Sequence, residues 1–111
     1  MTYDLVIKNG VIVTSSVTYA ADIGVQDGRI AAIAESLHGA EELDAAGRLV
    51  IPGGVDIHVH MQMPLSDGVV SADDFFTGTR AAAFGGTTAI VDFVEPESEQ
   101  SLLEALAARR A

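Results

Sequence analysis

Residues 50–63 read V-I-P-G-G-V-D-I-H-V-H-M-Q-M, an apolar run that carries Asp56, His58 and His60 at alternate positions. Side chains alternate between faces along an extended strand, so these three should project together. Two imidazoles on one face at that spacing can converge on a single metal ion, with a carboxylate one step behind them. Pro52 lacks an N–H and Gly53-Gly54 allow unusual backbone angles, which predicts a boundary ahead of the strand. The strand itself, 55–61, is apolar on both sides apart from the three polar residues. That is the pattern of a parallel-sheet strand buried on both faces.

Downstream, residues 62–70 read as a loop. Ser71 predicts a helix cap, with Asp74 at the capping-box position three residues on. The helix offers Phe75, Phe76 and Phe84 as core, is weakened at Gly78 to allow close packing, and ends at Gly85-Gly86. A second apolar strand, T-T-A-I-V-D-F-V at 87–94, carries Asp92 near its C-terminal end. Ser101 and Glu104 open another helix, where Arg109 and Arg110 suit the negative end of the helix dipole. Strand, helix, strand, helix predicts parallel βα units joined by a right-handed crossover. Two such units cannot close a (β/α)8 barrel, which takes about 250 residues. The expectation is therefore α/β architecture, with residues 52–111 forming the first two βα units of an incomplete barrel in the N-terminal part of a larger enzyme.

Upstream, three pairs of β-rich runs flank turn dipeptides: 4–8 and 11–14 around Asn9-Gly10, 22–26 and 29–33 around Asp27-Gly28, and 42–45 and 48–51 around Ala46-Gly47. Asn-Gly and Asp-Gly tolerate positive φ and are strong hairpin signals. Residues 1–51 thus predict a small unit of antiparallel strands, with Ile23, Val25, Ile30 and Ile33 available for burial. His38, in the loop S-L-H-G, reads as solvated.

The bulk properties narrow the function classes. The 111 residues are 49% hydrophobic and 20% charged, which suits a folded protein. Sixteen acids against six basic residues give a formal net charge of −10. Nucleic-acid binding rests on basic residues, so neither nucleic acid nor an anionic membrane is the expected partner. There is no cysteine, which rules out disulfides and thiolate zinc sites. No leader or membrane span is read, and the expected location is the cytoplasm.

H-x-H alone is a weak metal signal. Here it ends a buried strand after P-G-G, where unpaired polar groups would be costly. In parallel α/β folds, functional groups gather at the C-terminal ends of strands. Imidazole suits zinc, and a catalytic zinc keeps a position open for water. Asp56 is placed either to orient a histidine from behind or to bond a loop backbone. Asp92 either supports the site or, the favoured reading, caps a turn. Met63 and Leu65 follow the histidines, as pocket lining or as plain packing.

The stretch V-I-P-G-G-V-D-I-H-V-H resembles the amidohydrolase superfamily. The block S-A-D-D-F-F-T-G-T-R-A-A-A-F-G-G-T-T-A-I-V-D-F, with L-V-I-K-N-G-V-I-V-T and D-G-R-I-A-A-I at the start, resembles the dihydropyrimidinase/D-hydantoinase family over essentially the whole chain. The resemblance implies a (β/α)8 barrel beside a small β-sandwich, to which residues 1–51 contribute. It implies a site of two zinc ions in which His58 and His60 are the first two ligands. It implies hydrolytic opening of dihydropyrimidines or hydantoins to N-carbamoyl amino acids, with the loop of Met63 and Leu65 shaping substrate preference, in a homo-oligomer that is tetrameric in the full-length family. The family's bridging lysine, later histidines, catalytic aspartate and tyrosine have no counterpart here; Lys8, the only lysine, lies in the first strand. The isolated chain is therefore expected to be inactive. Dihydroorotase- and allantoinase-like amidases are rival readings. Dihydroorotases carry an arginine where this chain has Gln62, and a neutral amide cannot pair with a substrate carboxylate. A non-catalytic, dihydropyrimidinase-related scaffold is the other alternative, against which the two histidines argue.

Overall fold

Asn9-Gly10 does not turn the chain. In the computed structural model, which describes residues 2–110, β1 runs unbroken over Tyr3–Val13. Asn9 adopts φ +55° within it. Pairing with β2 (Thr18–Gln26) slips between Ile7 and Gly10: Ile7 faces Ile23 and Gly10 faces Ala21, so β1 has one residue more. This is a β-bulge, not the predicted hairpin. The extra residue has a packing consequence. Ile7 and Ile12 are five apart and would point to opposite faces of a regular strand. The bulge returns both to one face, where Ile12 packs with Ala21 and Ile23, flanked by Ile7, Val25 and Val50.

Asp27-Gly28 does form its hairpin, with both residues at positive φ, and leads into β3 (Arg29–Ala34), antiparallel to β2. The third expected pair fails. β4 (Gly39–Asp44) lies parallel to the first half of β1, and β5 (Leu49–Val50) lies parallel to its second half. Ala46 and Gly47, at φ +50° and +73°, step the chain around the same irregularity instead of reversing it. Gly47 N–H donates to Asn9 O at 2.8 Å there. The sheet is therefore mixed, in the order β3-β2-β1-β4 with β5 also on β1, and the all-antiparallel expectation is corrected. Ile30 and Ile33 are also corrected: they sit exposed on the edge strand β3.

Cα proximity divides the chain into Met1–Pro52 and Gly53–Ala111. In the second unit, β6 (Gly54–Val59) and β7 (Thr87–Asp92) pair in parallel, with α1 (Phe75–Phe84) between them and α2 (Leu102–Arg110) after. α1 starts three residues later than the Ser71 cap predicts. Asp74 is the cap itself: its carboxylate accepts from Thr77 N–H at 2.6 Å, and Thr77 Oγ1 accepts from Asp74 N–H at 3.1 Å. Ser71 instead ties the loop, its Oγ accepting from Met63 N–H at 2.8 Å. Gly86, at φ +88°, takes the left-handed position beyond the helix. For α2 the Ser101/Glu104 box forms as expected, Ser101 N–H donating to Glu104 at 2.9 Å.

β6 is not enclosed in this chain: Ile57 is 73% exposed and Val55 is exposed too. Phe76 and Phe84 lie on the open side of α1, Phe84 at 84% exposure, so the expected aromatic core is also corrected. A helix buries only the stripe that has something packed over it, and α1 meets β7 on one side. Gly78 is where it packs tightest: a Cβ there would lie 2.3 Å from Met61 Sδ. Among the described residues, no helix is long and apolar enough to cross a membrane.

Candidate metal centre

β6 delivers His58 from its last turn of pleat and His60 from just beyond its end. The two Nε2 atoms face each other at 3.1 Å. Two imidazole lone pairs cannot meet at that distance unless a proton or a cation lies between them. Nitrogens bonded to one tetrahedral zinc at about 2.0–2.1 Å lie about 3.3–3.4 Å apart, so the pair fits a metal with slight opening. Phe93 stacks on the His58 ring at 4.0 Å between centroids and 20° between planes, and reaches His60 at 5.3 Å. On the other side of His60, Nδ1 faces Glu95 Oε1 at 3.8 Å. That separation is beyond hydrogen-bond reach, so the carboxylate lies near the ring without fixing it.

The three-residue alternation is only partly realised. The β6–β7 register slips between Asp56 and Val59, inserting an extra residue on β6. Asp56 bonds the His58 backbone N–H at 3.1 Å, not an imidazole. Asp92 does not reach the rings either. Its Oδ1 accepts from Met61 N–H at 2.9 Å and its Oδ2 from Arg109 Nε at 2.7 Å. Burial alone would raise the Asp92 carboxyl, but the Arg109 bond, the Met61 amide and the nearby positive charge outweigh it and hold it below its ordinary value. Among the described residues, no group of three His, Asp or Glu side chains gathers around a metal position.

A cleft of about 800 Å³ opens beside His60, lined among others by Gln62, Met63, Phe93, Glu95 and Arg109. Gln62 and Met63 thus share a wall with one histidine. Leu65 does not line it; it belongs to the loop tip, half exposed, its N–H donating to Val69 O at 2.7 Å. His38 is solvent-facing, 3.6 Å from Glu42, as the sequence suggests. Three contributors went unread in the sequence. Phe93 and Glu95 follow Asp92 directly, at the strand end where functional groups collect, and that position was their signal. Arg109 lies 17 residues past Asp92, and no local pattern joins them.

A family profile described as the urease alpha-subunit N-terminal domain matches residues 1–57, ending one residue before His58. It therefore speaks to the β unit rather than to the metal centre. Dihydropyrimidinase 2 of Caenorhabditis elegans is 52% identical over 91% of this chain. The chain spans 20% of the length of that relative. The crystal structure of D-hydantoinase from Bacillus sp. AR9 superposes with a TM-score of 0.88 at 52% identity, over 96% of this chain and 23% of that one. More distant is N-acyl-D-glutamate deacylase from Bordetella bronchiseptica, solved with zinc and a phosphonate inhibitor. It aligns at 28% identity and a TM-score of 0.64, over 91% of this chain and 22% of that one. Identity near one half extends over nine-tenths or more of this chain: the chain belongs to the dihydropyrimidinase/D-hydantoinase family.

Proposed function

We propose that this chain supplies the β unit and the first two βα units of a zinc-dependent (β/α)8 hydrolase. Its substrates are cyclic amides of the dihydropyrimidine or hydantoin type, opened to N-carbamoyl amino acids. The observation that carries the reading is the imidazole pair, His58 and His60, with Nε2 atoms 3.1 Å apart at the edge of a cleft. The names of the relatives supply the substrate class, and the deacylase solved with zinc supports the metal.

His58 and His60 would hold the metal, and zinc, when bound, supplies Lewis acidity and a hydrolytic nucleophile near neutral pH. Phe93 covers one face of His58 and keeps water from that side of the ring. Glu95 stands near the far nitrogen of His60, at 3.8 Å. Gln62 offers an amide to a neutral ring amide and no cation for a ring carboxylate, and Met63 adds apolar wall. With two ligands on the described residues, this chain by itself should leave dihydrouracil unopened.

A chimera tests the proposal. This chain replaces the matching segment of Bacillus sp. AR9 D-hydantoinase, and hydantoin opening and zinc content are measured. The chimera is expected to open the ring, while His58→Ala and His60→Ala each lower kcat/KM by more than about 100-fold with loss of zinc, a larger effect than losing a ligand's supporting partner. Full activity without both histidines would overturn the reading.

A further inference from the structure

We infer that Arg109 and Asp92 are positioning residues for His60, an inference that rests on the metal reading for its purpose but not for its test. The residue after His60 is fixed through both of its backbone polar groups. Met61 N–H donates to Asp92 Oδ1 at 2.9 Å. Met61 C=O accepts from Arg109 Nη2, and Arg109 Nε donates to Asp92 Oδ2 at 2.7 Å. Carboxylate, guanidinium, carbonyl and amide thereby close a ring around one residue. The third arm of the fork, Nη1, reaches Gln62 C=O at 3.5 Å. Phe75 lies under the guanidinium at 4.8 Å, and the two charged side chains are 20% and 15% exposed. Shielded, charge-assisted bonds of this kind hold geometry more firmly than surface pairs.

The clamp acts where the backbone has most need of it. Gln62 takes φ +49°, a left-handed conformation that a residue with a Cβ rarely adopts. Its N–H is held by Asp73 C=O at 2.6 Å. With the residues on the C-terminal side of His60 pinned from α2, β7 and the α1 approach, the His60 backbone is held in place, and the ring's contacts with His58 and Phe93 set its rotamer on that fixed base. Only a planar fork can serve Asp92 and a carbonyl together; lysine, a single point charge, cannot span both.

The test uses the whole chain, metal-free, with long-range 1H–15N spectra of the imidazoles. In Arg109→Lys and Asp92→Asn, the His60 ring nitrogens are expected to move towards the averaged shifts of free histidine, while those of His58 move less. Zinc affinity is expected to fall about ten-fold or more. Arg80→Lys, which disturbs a guanidinium 6.0 Å from the Phe84 ring, should change neither. If Arg109→Lys unfolds the second unit, Asp92→Asn, which keeps the shape and the Met61 bond, carries the same expectation. His60 shifts that superpose on the parent's in a folded variant would overturn the inference, as would zinc bound equally tightly by parent and variants. A parent that binds no zinc, with the His60 shift still present in the variants, would uphold the clamp and leave the metal reading to the chimera.

Discussion

Asp22 is 4% exposed yet ionised, and three contacts explain it. It accepts from Asn9 N–H at 2.9 Å and Leu37 N–H at 3.0 Å, and Lys8 Nζ stands 3.3 Å away. The Asn9 amide first, then the Leu37 amide and then Lys8 hold its carboxyl below the ordinary value, against burial that would raise it. A carboxyl depressed in the folded state stabilises the fold above its unfolded pKa of about 3.9, and that contribution is lost as pH falls through the folded value. Asp22→Ala should therefore cost about 3 kcal/mol near neutral pH, the range for opening an enclosed ion pair. The gap between parent and variant should shrink on acidification. Urea melts at pH 7 and at successively lower pH check this; a gap that stays constant would show that the charge is irrelevant. No local pattern in the sequence points to the pair. Lys8 and Asp22 meet only because the β1–β2 register sets them across one strand boundary, and register is not a local property.

At the scale of elements, three dipeptides with similar turn chemistry had three outcomes. Asp27-Gly28 makes a hairpin because β2 and β3 on either side pair with each other. Asn9-Gly10 has the same tolerance of positive φ, but both arms of β1 pair with β2, so the permitted conformation becomes a bulge. Asn9 Nδ2 then bonds Asp44 at 2.9 Å, and Ala46-Gly47 bends beside it. Turn propensity is thus legible locally, whereas the partner that decides its use is not. Helix ends were more legible, since caps are local: Ser101/Glu104 and Gly85-Gly86 behave as read, and α1 slips only from Ser71 to Asp74. Gly78 offers the test at this scale. Alanine would gain the helix about 1 kcal/mol in propensity. Against that, its Cβ would meet Met61 Sδ at 2.3 Å and Asp73 Cβ at 3.3 Å, and overpacking costs about 1–3 kcal/mol. Gly78→Ala is expected to destabilise by roughly 1 kcal/mol net and, by displacing Met61 next to His60, to weaken zinc binding. A more stable variant with unchanged zinc affinity would mean that Met61 swings aside freely.

Across the whole molecule the core is unevenly shared. Val6, Ile12, Ala21 and Ile23 are buried in the first unit; Met61 and Ala105 are the buried apolar residues described in the second. The histidine strand was legible because H-x-H after P-G-G is a compact local pattern. The enclosure expected for it was not realised, because two parallel strands and two helices leave Val55, Ile57 and Phe84 open. Local opening is easiest where few apolar contacts resist it. Amide hydrogen exchange on the full chain should therefore find Val6 and Ile23 among the slowest amides and β6 and β7 well below them. Zinc, if it binds the His58–His60 pair, stabilises only states in which the pair is formed, by about 2.7 kcal/mol at a hundred-fold excess over Kd. Its protection should fall on β6, the Met61–Met63 turn and the β7 end, and leave β1–β5 nearly unchanged. The Asp92–Arg109 ring should carry that protection into α2, so Arg109→Lys should confine it to the strands. Protection spread evenly over both units would show instead that zinc acts through the general excess of acidic residues, and the histidine pair would lose its claim as the site.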